Sequence, residues 1–210
     1  MSDDQIKIRL AYQQQGVDGF YQSEGHQYHN PHEFGIIEMM HEMMQVLEHT
    51  VGHRLKGPFL DLCCGSGEVT EALLKQGYPL DQIKASDPYT YEAYEKRIAK
   101  PCEKWNFIEI SQGQILADLS KSSLSKSLGS TPSSVVQEKA TKPFQCVICS
   151  FALHLCPLDL LDHVLYQLSL CSDYLIILTP HKKPDIQDHW LLLEERYSIE
   201  ERVRGRLYFC

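Results

Sequence analysis

Two carboxylates stand where this chain can do ligand chemistry: Asp61, ahead of the turn Gly65-Ser66-Gly67, and Asp87, at the end of a second apolar run. Phe59 to Cys63 is apolar except for Asp61 and follows the breaker pair Gly57-Pro58, which predicts a buried parallel strand with a polar tip. Gly65 and Gly67 let the backbone come close to a ligand and let a helix begin at once. Ile83 to Asp87 predicts another strand ending in an acid, about 20 positions past Gly65. A carboxylate there suits a ribose, its two oxygens matching two cis hydroxyls. His154 and His181, each near the tip of a predicted strand, are candidate general bases by the pKa class of imidazole.

A dinucleotide and S-adenosylmethionine are the two cofactors that such a turn serves. The dinucleotide fingerprint G-x-G-x-x-G places a third glycine where this chain has Thr70. Asp61 repels a pyrophosphate and attracts the amino group of a zwitterionic amino-acid tail, which favours S-adenosylmethionine.

Asp61 through Thr70 resembles motif I of the class I (Rossmann-like) S-adenosylmethionine-dependent methyltransferases, D-x-x-x-G-x-G after the first strand, with Cys63 at a position where that family usually has glycine. The resemblance runs over about Gly57 to Cys210. It implies an α/β fold, a doubly wound seven-stranded mixed sheet of order 3-2-1-4-5-7-6 with strand 7 antiparallel and helices on both faces. Cofactor contacts are then expected at Asp61, Cys63, Gly65, Gly67, Asp87, Pro88, Gln114, Ile115 and Ser150. Gln114 stands where family members often have the Asp that reads the adenine amino group. Ser150 opens the segment Phe151-Ala152-Leu153-His154, which resembles the motif after strand four.

The implied reaction is in-line methyl transfer from S-adenosylmethionine to a small-molecule acceptor, with S-adenosylhomocysteine as product and His154 as the catalytic candidate. For His154 a structural role competes. Family members often close the site with N-terminal residues, so Tyr21, Tyr28, His29 and Asn30, beside Phe20 and with His181 from the loop after strand five, are expected on the substrate side. Three other readings stay open: a protein or RNA methyltransferase, a non-catalytic S-adenosylmethionine-binding partner subunit, and a nicotinamide-dependent oxidoreductase. The acceptor atom is not legible.

At 210 residues and 24.2 kDa the chain predicts one domain, 1–210, with an N-terminal helical or lid segment over 1–56 and a flexible Ser/Lys-rich insertion over 119–143. Twenty basic against 28 acidic residues give a net charge of −8, which argues against a nucleic-acid substrate. The eight cysteines come without a secretory leader or a long apolar span, so a reduced, cytoplasmic protein without a membrane partner is expected. Cys146-x-x-Cys149 has a zinc-like spacing, but it lies in an apolar run with no second pair, and buried core thiols are expected there. His26, His29 and His32 recur every third residue without matching carboxylates; no metal is expected.

Asn30-Pro31 predicts a helix start with Asn30 as N-cap and Glu33 at the third position of a capping box. Ile36, Met40, Met43, Leu47 and Val51 form the apolar stripe of that helix, Pro31 to His53, which is expected to cover the top or one flank. Asn106 to Ile110 predicts the third strand, Phe144 to Ser150 the fourth and Tyr174 to Thr179 the fifth. Trp190 to Arg196 and Glu201 to Phe209 predict a hairpin whose Arg202, Arg204 and Arg206 are neutralised across the strands by nearby glutamates.

Overall fold

A computed structural model describes residues 19, 29–127 and 141–210. Phe20, Tyr21, His26 and Tyr28, and most of the predicted insertion, lie outside the described residues. The strands are β1 (Phe59–Leu62), β2 (Ile83–Ser86), β3 (Phe144–Ser150), β4 (Ser172–Thr179), β5 (Leu191–Ser198) and β6 (Val203–Phe209). They form one sheet of order β2-β1-β3-β4-β6-β5. The first four neighbours run parallel, and β6 is antiparallel to both β4 and β5. This is the predicted order and sense less one edge strand, so among the described residues the sheet has six strands and not seven.

The missing member is the strand expected over Asn106 to Ile110, which is instead a short helix, Phe107–Ser111. Asn106 Oδ1 accepts the Glu109 amide at 2.9 Å and Glu109 Oε2 accepts the Asn106 amide at 3.0 Å, a complete capping box. Reciprocal capping satisfies two amide donors locally, and it outweighs the weak alternation that suggested a strand. Among the described residues, strand pairing beyond β2 is reduced to one bridge between Ser86 and Glu103.

With α1 (Glu33–Val51), α2 (Glu68–Lys75) and α3 (Tyr91–Ile98) placed first along the chain, the capped turn is α4 (Phe107–Ser111). A helix α5 (Gln114–Ser127) follows, and α6 (Leu158–Cys171) connects β3 to β4. Positions 119–127, expected within a flexible insertion, thus continue a helix.

Helix α1 buries Ile36, Met40, Met43 and Leu47 against one face of the sheet, so it covers a flank. Its approach is close: a Cβ on Gly205 of β6 would lie 2.7 Å from Met43 Sδ. Its start differs from expectation. His32 is the N-cap and Asn30 stands before it, its Oδ1 accepting the His32 amide at 2.9 Å. The Glu33 side chain reaches Arg97 and His29, and its amide donates to the Asn30 carbonyl at 3.1 Å and not to the Asn30 side chain, so no capping box forms. On the opposite face, α6 packs Val164, Leu165 and Leu168 with Val147, Cys149, Leu175 and Ile177. Burial of side chains of this size contributes roughly 1.5–3 kcal/mol each.

Cys146 and Cys149 are wholly buried in β3. In the hairpin Glu195 pairs with Arg204 and, at 3.9 Å, with Arg206 across the strands, as expected; Arg206 is also buried and donates to Pro184 O at 2.8 Å and Tyr208 Oη at 3.1 Å. Strand β6 is paired along both edges, and Val203 and Gly205 to Tyr208 are buried. Among the described residues no helix is long and apolar enough to cross a membrane.

Candidate functional site

From β1 the chain goes to β2 on one side and returns to β3 on the other, so the order reverses at β1. Open α/β sheets bind ligands at such a point, outside the carboxyl ends of the strands. A cavity of about 550 Å³ lies there, lined by Cys63, Cys64 and Gly65 after β1, Asp87 to Thr90 after β2, and Ser150 to Ala152 after β3. Trp105, Asn106 and Phe107 line it at the start of α4. That volume is ordinary for a small-molecule or cofactor site.

Cys63 (φ 55°) and Phe151 (φ 54°) are both left-handed, each directly past a strand that ends at the cavity. Such a conformation costs a side chain about 1–2 kcal/mol, and glycine is the usual residue for it. The two strained positions turn the chain sharply aside and leave the crevice open between β1 and β3. A hydrogen bond with Cys149, and then burial, pushes the Cys63 thiol well up; burial does the same to Cys64, whose Sγ lies 3.5 Å from Cys102 Sγ. Neither is a ready nucleophile.

Asp87 is fixed by backbone donors. Its Oδ1 accepts the amides of Tyr89 and Thr90 at 2.9 and 2.8 Å, and its Oδ2 accepts the Gly65 amide at 3.2 Å. Burial raises its pKa while these donors pull it back. The strand-end acid is therefore bonded directly to the glycine turn and faces the cavity.

Asp61 differs from its expected placement. It is fully buried and absent from the cavity wall; its Oδ2 accepts the Thr70 amide and hydroxyl, and its Oδ1 has no partner. The acid that does reach the cavity is Glu68, the first residue of α2, only 3% exposed. Glu68 Oε1 accepts the Ser66 hydroxyl and, at 3.4 Å, the Asn30 amide, and Arg97 Nη1 lies 3.8 Å from it. Asn30 also lines the cavity. The ligating atoms of His29, Glu33 and Glu68 lie within 4.8 Å of one another, and Arg97, hydrogen-bonded to Glu33 and Glu71, already supplies the positive charge there.

Of the residues singled out in the sequence, Cys63, Gly65, Asp87, Pro88, Ser150 and Asn30 come together on the wall. Gly67 (φ 99°) serves packing: it caps α2 in the left-handed region, and an added Cβ would lie 2.7 Å from Ile98 Cγ1. Gln114 and Ile115 stand off the wall, because the helix α4 replaces the strand that would have delivered them. Gln114 Nε2 donates to Asp118 Oδ1 at 2.8 Å, and Ile115 is core. His154 lies in a 3₁₀ turn, Leu153–Leu155, also off the wall, with its ring 5.3 Å edge-on from that of His181. Burial, then the charge of His181, lowers its pKa to about 4. His29 is exposed and pairs with Glu33 at 3.1 Å. Sequence reasoning missed Glu68 and Trp105. An acid directly after Gly-x-Gly was the available signal for the first, and nothing in the spacing marked the second.

No family model matches the chain. A curated relative, the uncharacterized protein C17A5.05c of Schizosaccharomyces pombe, is 30% identical over 210 residues, covering 84% of this chain and 76% of that protein. Among solved structures, magnesium protoporphyrin IX methyltransferase of Synechocystis PCC 6803 with bound S-adenosylhomocysteine is 14% identical with a TM-score of 0.48, covering 98% of each chain. With bound S-adenosylmethionine the same protein gives a TM-score of 0.47 at 14% identity, covering 99% of this chain and 96% of that one.

Proposed function

We propose that this chain, which belongs to the family of the fission-yeast protein C17A5.05c, is a methyltransferase that uses S-adenosylmethionine, releases S-adenosylhomocysteine and acts on a small-molecule acceptor. The observation that carries this reading is the cavity at the sheet's reversal point, where Asp87 is hydrogen-bonded to Gly65 of the glycine turn and Glu68 opens the next helix. A dinucleotide would set its pyrophosphate at that helix start. Glu68 puts a buried carboxylate there instead, which repels a phosphate and suits a ligand with a cationic end.

The residues present fit such a ligand. Asp87 takes ribose hydroxyls, Cys63 and Gly65 offer backbone at close range, and Pro88 lies beside Asp87. Ser150 brings a buried hydroxyl that has no partner among the described residues. When bound, S-adenosylmethionine supplies a methyl group on a sulfonium, already activated for in-line displacement. The protein's part is then to hold two reactants in line and keep water out, an effect of up to ~7–11 kcal/mol. His154 and His181 stand off the described wall, which leaves positioning as the main contribution of the described residues.

The described lining holds two acids, Glu68 and Asp87, and no Lys, Arg or His. That charge pattern, with Trp105, Phe107 and Phe151 beside it, supports a small uncharged or cationic acceptor over a nucleic acid. The test is a fluorescence titration of Trp105 on a Trp190→Phe background; Trp190 is buried away from the cavity with its Nε1 on Leu165 O. S-adenosylhomocysteine is expected to change the signal saturably, and Asp87→Asn to weaken binding by about 10- to 100-fold. Saturation by NADH and not by S-adenosylhomocysteine would overturn the reading.

A further inference from the structure

We propose that Glu68, and not Asp61, is the residue that binds the α-ammonium of the cofactor's amino-acid tail. The inference rests on the cofactor reading above and concerns which acid of the glycine turn does the recognising.

Asp61 has the sequence position for the task but not the access. Its carboxylate is sealed from the cavity, and one oxygen is occupied by two donors from Thr70. Burial lifts its pKa to about 8, so at neutral pH the group is mostly uncharged and offers a cation little. Its work is to tie the first turn of α2 to the end of β1.

Glu68 has what Asp61 lacks. It lines the cavity while nearly all of its own surface is buried. Oε1 is held by Ser66 Oγ and the Asn30 amide, which orients the carboxylate. Among the described residues Oε2 accepts no hydrogen bond. The nearby cation, Arg97, stands 3.8 Å from Oε1 and off the cavity lining, so Oε2, without a donor in a wall that carries no basic side chain, is open to a cationic donor from the ligand. Gly65, bonded to Asp87, is three residues back along the same turn, so the acid for the ribose and the acid for the amino-acid tail are set by one short segment.

The test is calorimetric and needs no methyl acceptor. Wild type, Glu68→Gln and Asp61→Asn are titrated with S-adenosylhomocysteine and with its analogue in which hydrogen replaces the α-amino group. Wild type is expected to prefer the amino compound by about 10- to 100-fold, the range for a charge-assisted hydrogen bond in a dry site. Glu68→Gln keeps the shape and the contacts to Ser66 and Asn30; there the preference is expected to shrink to about threefold or less, with affinity for the deaminated analogue unchanged. Asp61→Asn is expected to keep the wild-type preference. A full preference in Glu68→Gln, or its loss in Asp61→Asn, overturns the assignment while leaving the cofactor reading intact. Failure of wild type to bind either compound overturns both.

Discussion

Thr70 donates twice to a single oxygen of Asp61, through its amide at 3.0 Å and its hydroxyl at 2.7 Å. The other oxygen is buried without a partner, and burial raises the carboxyl from 3.8 to about 8. The folded protein therefore keeps a proton that the unfolded chain gives up near pH 4. The contribution of this group is most favourable below that point and is lost as pH rises toward 8, levelling off beyond. Asp61→Asn keeps the shape and removes the ionisation. Between pH 5 and 8 wild type is expected to lose stability relative to the variant by up to about 1.4 kcal/mol per pH unit. Urea denaturation of both proteins across that range checks it, and parallel stability curves would refute it.

His154 gives a slope of the opposite sign. Burial lowers it from 6.5 to about 4, so between those values the unfolded chain binds a proton and the folded protein does not. Its contribution is complete above pH 6.5 and is lost as pH falls toward 4. His154→Gln is expected to soften acid unfolding, seen as a higher midpoint relative to wild type at pH 4.5 than at pH 7. An unchanged difference between those two pH values would remove the buried neutral imidazole from the account.

Gly67→Ala tests the seat of α2. The new Cβ would lie 2.7 Å from Ile98 Cγ1 and 3.1 Å from Tyr94 Cδ2, at a φ of 99° that disfavours any side chain. A loss of about 2 kcal/mol or more is expected in chemical denaturation. Gly52→Ala is the control: its φ is 80°, with nothing within 4 Å of the added carbon, so it isolates the backbone cost from the clash.

Much of the fold was legible because periodicity and chain breakers act locally. The apolar runs of β1, β2, β3 and β4, the stripe of α1 and the terminal hairpin all follow from pattern. Asn106 to Ile110 was misread for a local reason as well: its alternation was weak, whereas Asn106 and Glu109 are spaced for a capping box. That spacing outranks a two-residue rhythm in so short a segment. The candidate site was legible at Gly65 and Asp87, where a motif fixes both residue type and place. It was not legible at the two acids of the turn. Sequence shows that Asp61 and Glu68 flank Gly65 and Gly67, but which one is closed off depends on how Thr70 folds back. The burial of Arg206 was likewise out of reach, since it depends on what covers that face of β6, where the carbonyl of Pro184 arrives from a distant loop.

Among the described residues the seventh strand is missing and β2 is an outer strand of the sheet, and outer strands invite other chains to pair with them. Here that invitation is withdrawn. The outward carbonyl of Ile83 accepts the Lys100 ammonium, the carbonyl of Ala85 accepts the Glu103 amide at 2.9 Å, and the Asp87 amide is taken by Glu103 O at 2.8 Å. Lys84 and Glu103 add a charged pair at the same border. The β2 margin of the sheet is thus sealed against strand addition without being built as a strand. The opposite margin, β5, is broken by a bulge between Leu192 and Glu194 and carries Glu194, Glu195 and Arg196, so each end resists polymeric growth by a different means.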